Sequence, residues 1–150
     1  MIRSKSFLFA LLLFISSAGF AADGLIAVKS PYTAKETMDR FEVNAKQRGL
    51  NIFVRIDHAA GAAKVGKSLL PTEVLIFGNP QGGTPFIECA QTVGIDLPLK
   101  VLVWEDPQGQ TWLGYNDPAF LAQRHGVGHC PAVGSLSKTL TGLADITVSR

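Results

Sequence analysis

A proline, Pro71, restricts the folds open to this 150-residue chain, because it closely follows a segment that resembles a phosphate-binding loop. That segment, GAAKVGKS (Gly61–Ser68), matches the pattern G-x-x-x-x-G-K-[ST] of nucleotide-binding proteins. Such a loop works only where a helix begins directly after the Lys and Ser, so that the first N–H groups of that helix converge on the phosphates. Only two residues separate Ser68 from Pro71, which disfavours helical geometry before it. We therefore predict that the match is accidental and that the chain binds no nucleotide.

The first 22 residues have the three parts of a secretory signal peptide. Arg3 and Lys5 give a positive start, an apolar run covers Phe7–Ile15, and small residues follow. We predict cleavage after Ala21 or Ala22 and export to the periplasm or the extracellular space. An uncleaved anchor is the alternative, but the apolar run is short for a span of about 20 residues. No stable membrane insertion is expected after cleavage.

Cleavage would also change the charge balance. The whole chain has 14 Lys and Arg against 12 Asp and Glu, and Arg3 and Lys5 are lost with the signal peptide. The remaining basic and acidic residues are then equal in number, so no basic surface is available for nucleic acid or another polyanion. Residues 23–150 are enough for one domain with one hydrophobic core.

Apolar patterns along residues 23–150 predict five strands and several helices. Strands are predicted at Leu25–Ser30, Leu50–Asp57, Glu73–Gly78, within Leu97–Glu105, and at Gln110–Asn116. Helices are predicted at about Ala34–Arg48, in the Ala-rich segment after Asp57, from Pro85 to Gly94, after Asp117, and at about Pro131–Ile146. This order predicts an α+β fold with two layers. One mainly antiparallel sheet of about five strands packs against helices, and the last helix is long.

Two of these helices have recognisable beginnings. Thr33 with Glu36 forms a capping box for the first long helix. Thr84 is predicted to cap a later helix that has Pro85 in its first position, after a turn made by NPQGG (residues 79–83).

Several segments together resemble the domain of unknown function 302 family. They are IDHAAGAAKVG (56–66), PTEVLIFGNPQGGTP (71–85), IDLPLKVLVWED (95–106) and YNDPAFLAQRHG (115–126). The resemblance extends over nearly all of residues 23–150. It implies an α+β sandwich of one sheet with helices, and a homodimer as a further expectation. The family has no established reaction, so the resemblance assigns no catalytic residue.

Polar residues next to predicted strands are the candidates for a ligand site. Asp57 and His58 follow the second strand, Asn79 follows the third, and Asp96 precedes the fourth. A site for a small molecule is expected where such side chains converge, and His58 beside a carboxylate could act as a general base. The alternative is structural: Asp57 caps the next helix, with His58 in its first turn. Asn79 would then belong to an ordinary connection between a strand and a helix.

The remaining candidates are His and Cys residues. His125, His129 and Cys130 lie close together in RHGVGHC and are weak candidates for a copper or zinc site. Their spacing matches no standard zinc site, and Cys130 has another partner available. In an oxidising compartment we predict a disulfide between Cys89 and Cys130, with two free buried thiols as the alternative.

The sequence therefore predicts an exported α+β domain that serves as a binding or accessory module and needs no cofactor. Two other functions stay open: a small enzyme that uses His58 as general base, and a metal-handling protein that uses His125, His129 and Cys130.

Overall fold

The computed structural model describes residues 22–150, so the predicted signal peptide lies, apart from Ala22, outside the described residues. The strands are β1 (Leu25–Ser30), β2 (Asn51–Asp57), β3 (Thr72–Gly78), β4 (Leu99–Glu105) and β5 (Thr111–Asn116). The helices are α1 (Ala34–Gln47), α2 (His58–Ala63), α3 (Pro80–Cys89), α4 (Pro118–Arg124) and α5 (Ala132–Val148), with a 3₁₀ helix at Gln91–Ile95.

The five strands form one antiparallel sheet in the order β1-β5-β4-β3-β2. The pair β4–β5 is joined by the predicted tight turn, in which the Asp106 carboxylate accepts hydrogen bonds from the N–H groups of Gln108 and Gln110. Gly109 has a φ of 79° there, which suits a residue without a side chain. The predicted α+β class and antiparallel sheet are confirmed.

The main core lies between the sheet and two helices, α1 and α5. Alternate residues of β3, β4 and β5 point toward these helices, including the fully buried Leu75, Phe77 and Val101. Phe41 of α1 meets the Phe77 ring edge-on, with the ring centroids 5.1 Å apart. Helix α1 begins where predicted, because the Thr33 hydroxyl accepts a hydrogen bond from the Glu36 N–H at 3.2 Å.

The other face of the sheet is not the one packed against α1 and α5, and we call it the open sheet face. The alternation of the strands assigns these apolar residues to it: Ala27, Val54, Ile56, Val74, Ile76, Leu102, Trp104 and Trp112. The two Trp rings are stacked with centroids 6.2 Å apart. Gly114 leaves room for this arrangement, since a Cβ atom there would lie 2.9 Å from the Trp104 ring.

Helix α3 differs from its prediction. It begins at Pro80 rather than at Pro85, because the Asn79 side chain accepts the hydrogen bond of the Gly82 N–H at 2.8 Å and so caps the helix. Thr84 and Pro85 consequently lie inside the helix, which ends at Cys89, and the 3₁₀ helix follows. The predicted turn at residues 79–83 was wrong, since Asn79-Pro80 provides the same cap-and-proline pattern five residues earlier.

The segment that matches the phosphate-loop pattern has the opposite geometry to a phosphate loop. Helix α2 precedes Lys67 and Ser68 and ends at Ala63. The chain from Lys67 to Pro71 has no helical structure and leads into β3, which runs antiparallel to β2. Within residues 22–150, none of the helices combines the length and the apolar character required to cross a bilayer.

Arg55 connects the edge strand β2 to its neighbours. Its guanidinium donates hydrogen bonds to Glu73 on β3 and, at 2.6 and 3.4 Å, to Asp39 and Glu42 on α1. The pKa of Asp39 is lowered by Lys35 and then by Arg55, and the pKa of Glu42 is lowered by Lys46 and, more weakly, by Arg55. These acids therefore stabilise the folded state while they are ionised.

We predict that Arg55→Met lowers the free energy of unfolding at pH 7 by about 1–2 kcal/mol, because a half-buried guanidinium with three carboxylate partners is lost. A carboxylate whose pKa is lower in the folded state stabilises the fold at a pH above its unfolded-state pKa. This stabilisation is lost as the pH falls through its folded-state pKa. The difference between the wild type and the variant should therefore shrink as the pH falls below the ordinary values of 3.8 and 4.5. Urea unfolding at several pH values measures this. Lys67→Met, in an exposed segment, is the matched control, and a pH-independent difference would contradict the assignment.

Candidate functional site

Helix α3 is fixed at its C-terminal end by the predicted cysteine pair. Cys89 and Cys130 lie at disulfide-bonding distance, with their Cα atoms 6.0 Å apart and a sequence separation of 41. A second, smaller core surrounds this pair, and Phe86 of α3 packs there with Leu121 of α4 and Leu136 of α5. Helix α3 is thus attached mainly to other helices, and a gap remains between it and the end of the sheet.

That gap is a cleft of about 640 Å³, which we call the α3 cleft. Its apolar lining comes from six elements or their connections and includes Leu50, Phe53, Ile87, Leu97, Leu99 and Leu136. Phe53 lies at a β-bulge in β2, where the pairing with β3 shifts between Ile52 and Val54. Its side chain is 56% exposed, which is a high value for a large apolar residue beside a cleft. The volume is within the range of about 300–1,000 Å³ that is typical of small-molecule sites.

Two consecutive glycines of α3, Gly82 and Gly83, line this cleft. Each glycine inside a helix costs about 1 kcal/mol relative to alanine. A Cβ atom at Gly83 would lie 3.6 Å from Leu97 on the opposite wall, in ordinary van der Waals contact. A larger side chain would therefore extend into the cleft, and the glycines keep it open at a cost in helix stability.

The polar groups of the cleft are few. Asn79 caps α3 with its side-chain oxygen, and its amide group donates a hydrogen bond to the Gly49 carbonyl at 3.4 Å. Arg48, at the end of α1, is the charged residue among those that line the cleft. One of its terminal nitrogens donates to the Gly142 carbonyl at 3.3 Å.

Asp57 and His58 do not lie at this cleft. Asn51 of β2 pairs with Gly78 of β3, whereas Asp57 pairs with Glu73. The end of β2 therefore lies at the opposite end of the sheet from Asn79, about 20 Å away along the strand. His58 is exposed, and the Asp57 carboxylate accepts a hydrogen bond from the Ala60 N–H at 2.8 Å. The structure thus places these two residues in the capping arrangement, and the four candidates do not converge.

Asp96 lies behind the cleft wall, in a network that the sequence analysis did not foresee. Its carboxylate is 2.6 Å from Nε2 of His125 and 3.0 Å from Arg124. Nδ1 of His125 is 2.9 Å from the Thr92 hydroxyl. The carboxylate, imidazole and hydroxyl are in the order of a proton relay, but the His125 side chain is only 7% exposed and both its nitrogens are occupied. The network therefore joins the 3₁₀ helix to α4 and orients the cleft wall.

The weak metal candidates are separated by these contacts. His125 is held by Thr92 and Asp96, Cys130 is at bonding distance from Cys89, and His129 is exposed. Over residues 22–150, no group of three or more His, Cys, Asp or Glu side chains has the proximity needed to hold a metal ion.

Comparison with known proteins identifies one family. The model of the domain of unknown function DUF302 matches residues 26–144. Proteins named fluoride-specific ion channel FluC 1 from Brucella suis biovar 1 and Brucella abortus biovar 1 are both 45% identical to this chain over 130 residues. The matches cover 87% of this chain but 51% and 48% of those proteins, so the chain spans about half the length of these curated relatives.

A solved structure has the same fold. The crystal structure of an uncharacterized conserved DUF302 protein from Bacillus stearothermophilus superposes with a TM-score of 0.76 at 23% sequence identity. The superposition covers 84% of this chain and 99% of that one. At this identity the similarity establishes the fold alone.

We predict that the protein isolated without reductant contains no free thiol. Replacing Cys89 and Cys130 together by Ala should lower the free energy of unfolding by about 4 kcal/mol, because the unfolded chain is released from a closed loop of about 40 residues. Thiol titration in denaturant and urea unfolding measure the two effects. Two titratable thiols in the freshly isolated protein would show that the cysteines do not pair.

Proposed function

This chain belongs to the DUF302 family of domains of unknown function, and we propose that it is an exported binding module that holds a small, largely apolar molecule in the α3 cleft. The observation that carries this proposal is the cleft itself, whose lining combines eight Leu, Ile, Phe and Pro residues with four glycines and six polar residues. Binding sites for small molecules have this composition, in which apolar walls supply affinity and isolated polar groups set orientation.

The two glycines of α3 give the proposal independent support. Sequence and structure usually agree at every level, and a local conflict often marks a functional position. Gly82 and Gly83 weaken α3 at the point where a side chain would fill the cleft. Asn79, one of the predicted site residues, lines the α3 cleft. His58 is exposed and lies elsewhere, so the structure gives less support to an enzyme that uses His58 as general base.

The module and its export are supported by different observations. The matched segment makes up about half of the relatives named as fluoride-specific ion channels, so this domain is used as a unit within longer chains. Export is supported by the composition of residues 1–22 and by a cysteine pair suited to an oxidising compartment. Recovery of the protein from the cytosol with both thiols free would contradict export.

We predict that Gly83→Leu blocks the cleft. An uncharged fluorescent dye such as Nile red should bind the wild type saturably and bind this variant at least tenfold more weakly. Gly83→Ala should keep binding within about threefold and raise the free energy of unfolding by about 0.5–1 kcal/mol, because alanine is the better helix former. Fluorescence titration and urea unfolding measure the two properties.

The matched control is Gly134→Leu. Gly134 also lies in a helix, α5, but a Cβ atom there meets nothing within 4 Å and the residue does not line the cleft. Its variant should bind the dye like the wild type. Equal dye binding by Gly83→Leu and Gly134→Leu would place the dye elsewhere and defeat the proposal.

We also propose a homodimer, with a second copy packed on the open sheet face. Five strands of about six residues give this face a projected area of roughly 500 Å². Because side chains protrude from the sheet, its accessible area is larger than the projected area and approaches the ~800 Å² per partner of a standard interface. Its centre is apolar, and the strand residues on it include no Asp or Glu, while the Asp106 carboxylate of the β4–β5 turn accepts a hydrogen bond from the Trp112 indole at 2.8 Å. The basic residues on it are Lys29, which lies over the Trp112 ring at 5.4 Å, and Lys100 near one end. Two such sheets can pack face to face at about 10 Å.

We predict that Leu102→Glu abolishes this dimer. Leu102 lies on the central strand of the open sheet face, and in a twofold interface one substitution places a charge on both sides. Sedimentation equilibrium at micromolar concentrations should give a dimer for the wild type and a monomer for the variant. Val43→Glu, on the opposite layer at a residue that is 52% exposed, should leave the dimer intact. A monomeric wild type would refute the interface.

A further inference from the structure

The charge of the α3 cleft restricts the ligand further. We propose, on the basis of the proposed function, that the cleft binds a monoanionic amphiphile: an aliphatic carboxylate with its chain along the apolar walls and its carboxylate at Arg48. The proposal depends on three features of the cleft, which are its single charge, the other contacts of that charged group, and the arrangement of its polar residues.

Arg48 is the charged residue among the cleft-lining residues, and no Asp or Glu accompanies it there. Two other arginines of the described chain have acidic partners, since Arg55 pairs with Glu73 and Arg124 pairs with Asp96. Arg40 resembles Arg48 in donating to backbone carbonyls, but it does not line the cleft. The ion pairs within residues 22–150 do not include Arg48. Its guanidinium donates to the Gly142 carbonyl through one terminal nitrogen. A guanidinium has five N–H donors in a fixed plane, so an edge suited to a carboxylate is left.

The single cation favours a monoanion over a phosphate. A carboxylate at Arg48 balances the charge of the guanidinium and accepts two parallel hydrogen bonds. A dianionic phosphate would retain one charge beside Leu50 and Phe53 that the single guanidinium does not neutralise. The first amides of α3 offer a weaker alternative, because the Asn79 side chain already occupies the Gly82 N–H.

The aliphatic residues of the cleft lining indicate the apolar body of the ligand. Ile87, Leu97 and Leu136 come from α3, the segment before β4, and α5, and together they offer aliphatic surface. Thr139 and Ser135 also line the cleft, where their neutral hydroxyl groups do not require a second charge on the ligand. An aliphatic chain gains about 0.8 kcal/mol for each buried methylene, which corresponds to about fourfold in affinity.

The experiment compares ligands that share a tail and differ in the head group. Decanoate, 1-decanol and decyltrimethylammonium are titrated into the exported protein below micelle-forming concentrations, and binding is followed by calorimetry and amide chemical shifts. Decanoate should bind at least tenfold more tightly than decanol, and the ammonium compound should bind most weakly. Octanoate should bind about sixteenfold more weakly than decanoate, as expected for two methylenes.

Arg48→Met should reduce decanoate affinity at least tenfold and change decanol affinity less than twofold, because hydrogen bonds to charged groups are among the stronger ones. Arg48→Lys should recover part of the loss. Lys138→Met removes a positive charge from an exposed position on α5 that does not line the cleft, and it should change neither affinity.

The outcomes separate this inference from the proposed function. Equal binding of decanoate and decanol, or an unchanged decanoate affinity in Arg48→Met, would overturn the carboxylate assignment and leave an apolar binding site. Binding of none of the three ligands would overturn both. A decanoate preference that is lost in Arg48→Met and kept in Lys138→Met would establish the assignment.

Discussion

The position of α3 is the constraint on which the cleft depends. This helix is fixed at its start by the Asn79 cap and at its end by the pairing of Cys89 with Cys130. Between these points it packs against α5 through Phe86 and contributes nothing to the main core beneath the sheet. Because both ends are held and only one side is packed, the side that faces the sheet end stays open.

The sheet was predictable from sequence because its signals are local. β3 is apolar from Val74 to Phe77, and its interior position between β4 and β2 agrees with that pattern. The start of α3 was ambiguous, because Asn79-Pro80 and Thr84-Pro85 are both valid cap-and-proline pairs. Phe86 is helical from either start, and in the structure the Asn79 side chain caps the earlier one through the Gly82 N–H.

The candidate site was harder to predict for a topological reason. Polar residues at the ends of two successive strands meet only if the strands are parallel, and β2 and β3 are antiparallel. Asp57 and Asn79 therefore lie at opposite ends of the sheet. The contact between His125 and Asp96 joins residues 29 positions apart through two helical segments. The one available sequence signal was the position of Asp96, two residues after the predicted helix end at Gly94.

The two surfaces proposed for binding lie on different layers of the molecule, so a partner on one surface does not need to cover the other. The α3 cleft involves helices and the ends of strands, whereas the open sheet face is the outer side of a hydrogen-bonded sheet that is stiff in comparison. A second copy on the open sheet face would leave the cleft accessible. Helix α3 carries two glycines and an internal proline, so its intrinsic helix propensity is low. The geometry of the cleft then depends on the cap, the second core and the cysteine pair, and an oxidising compartment is the environment in which all three are present.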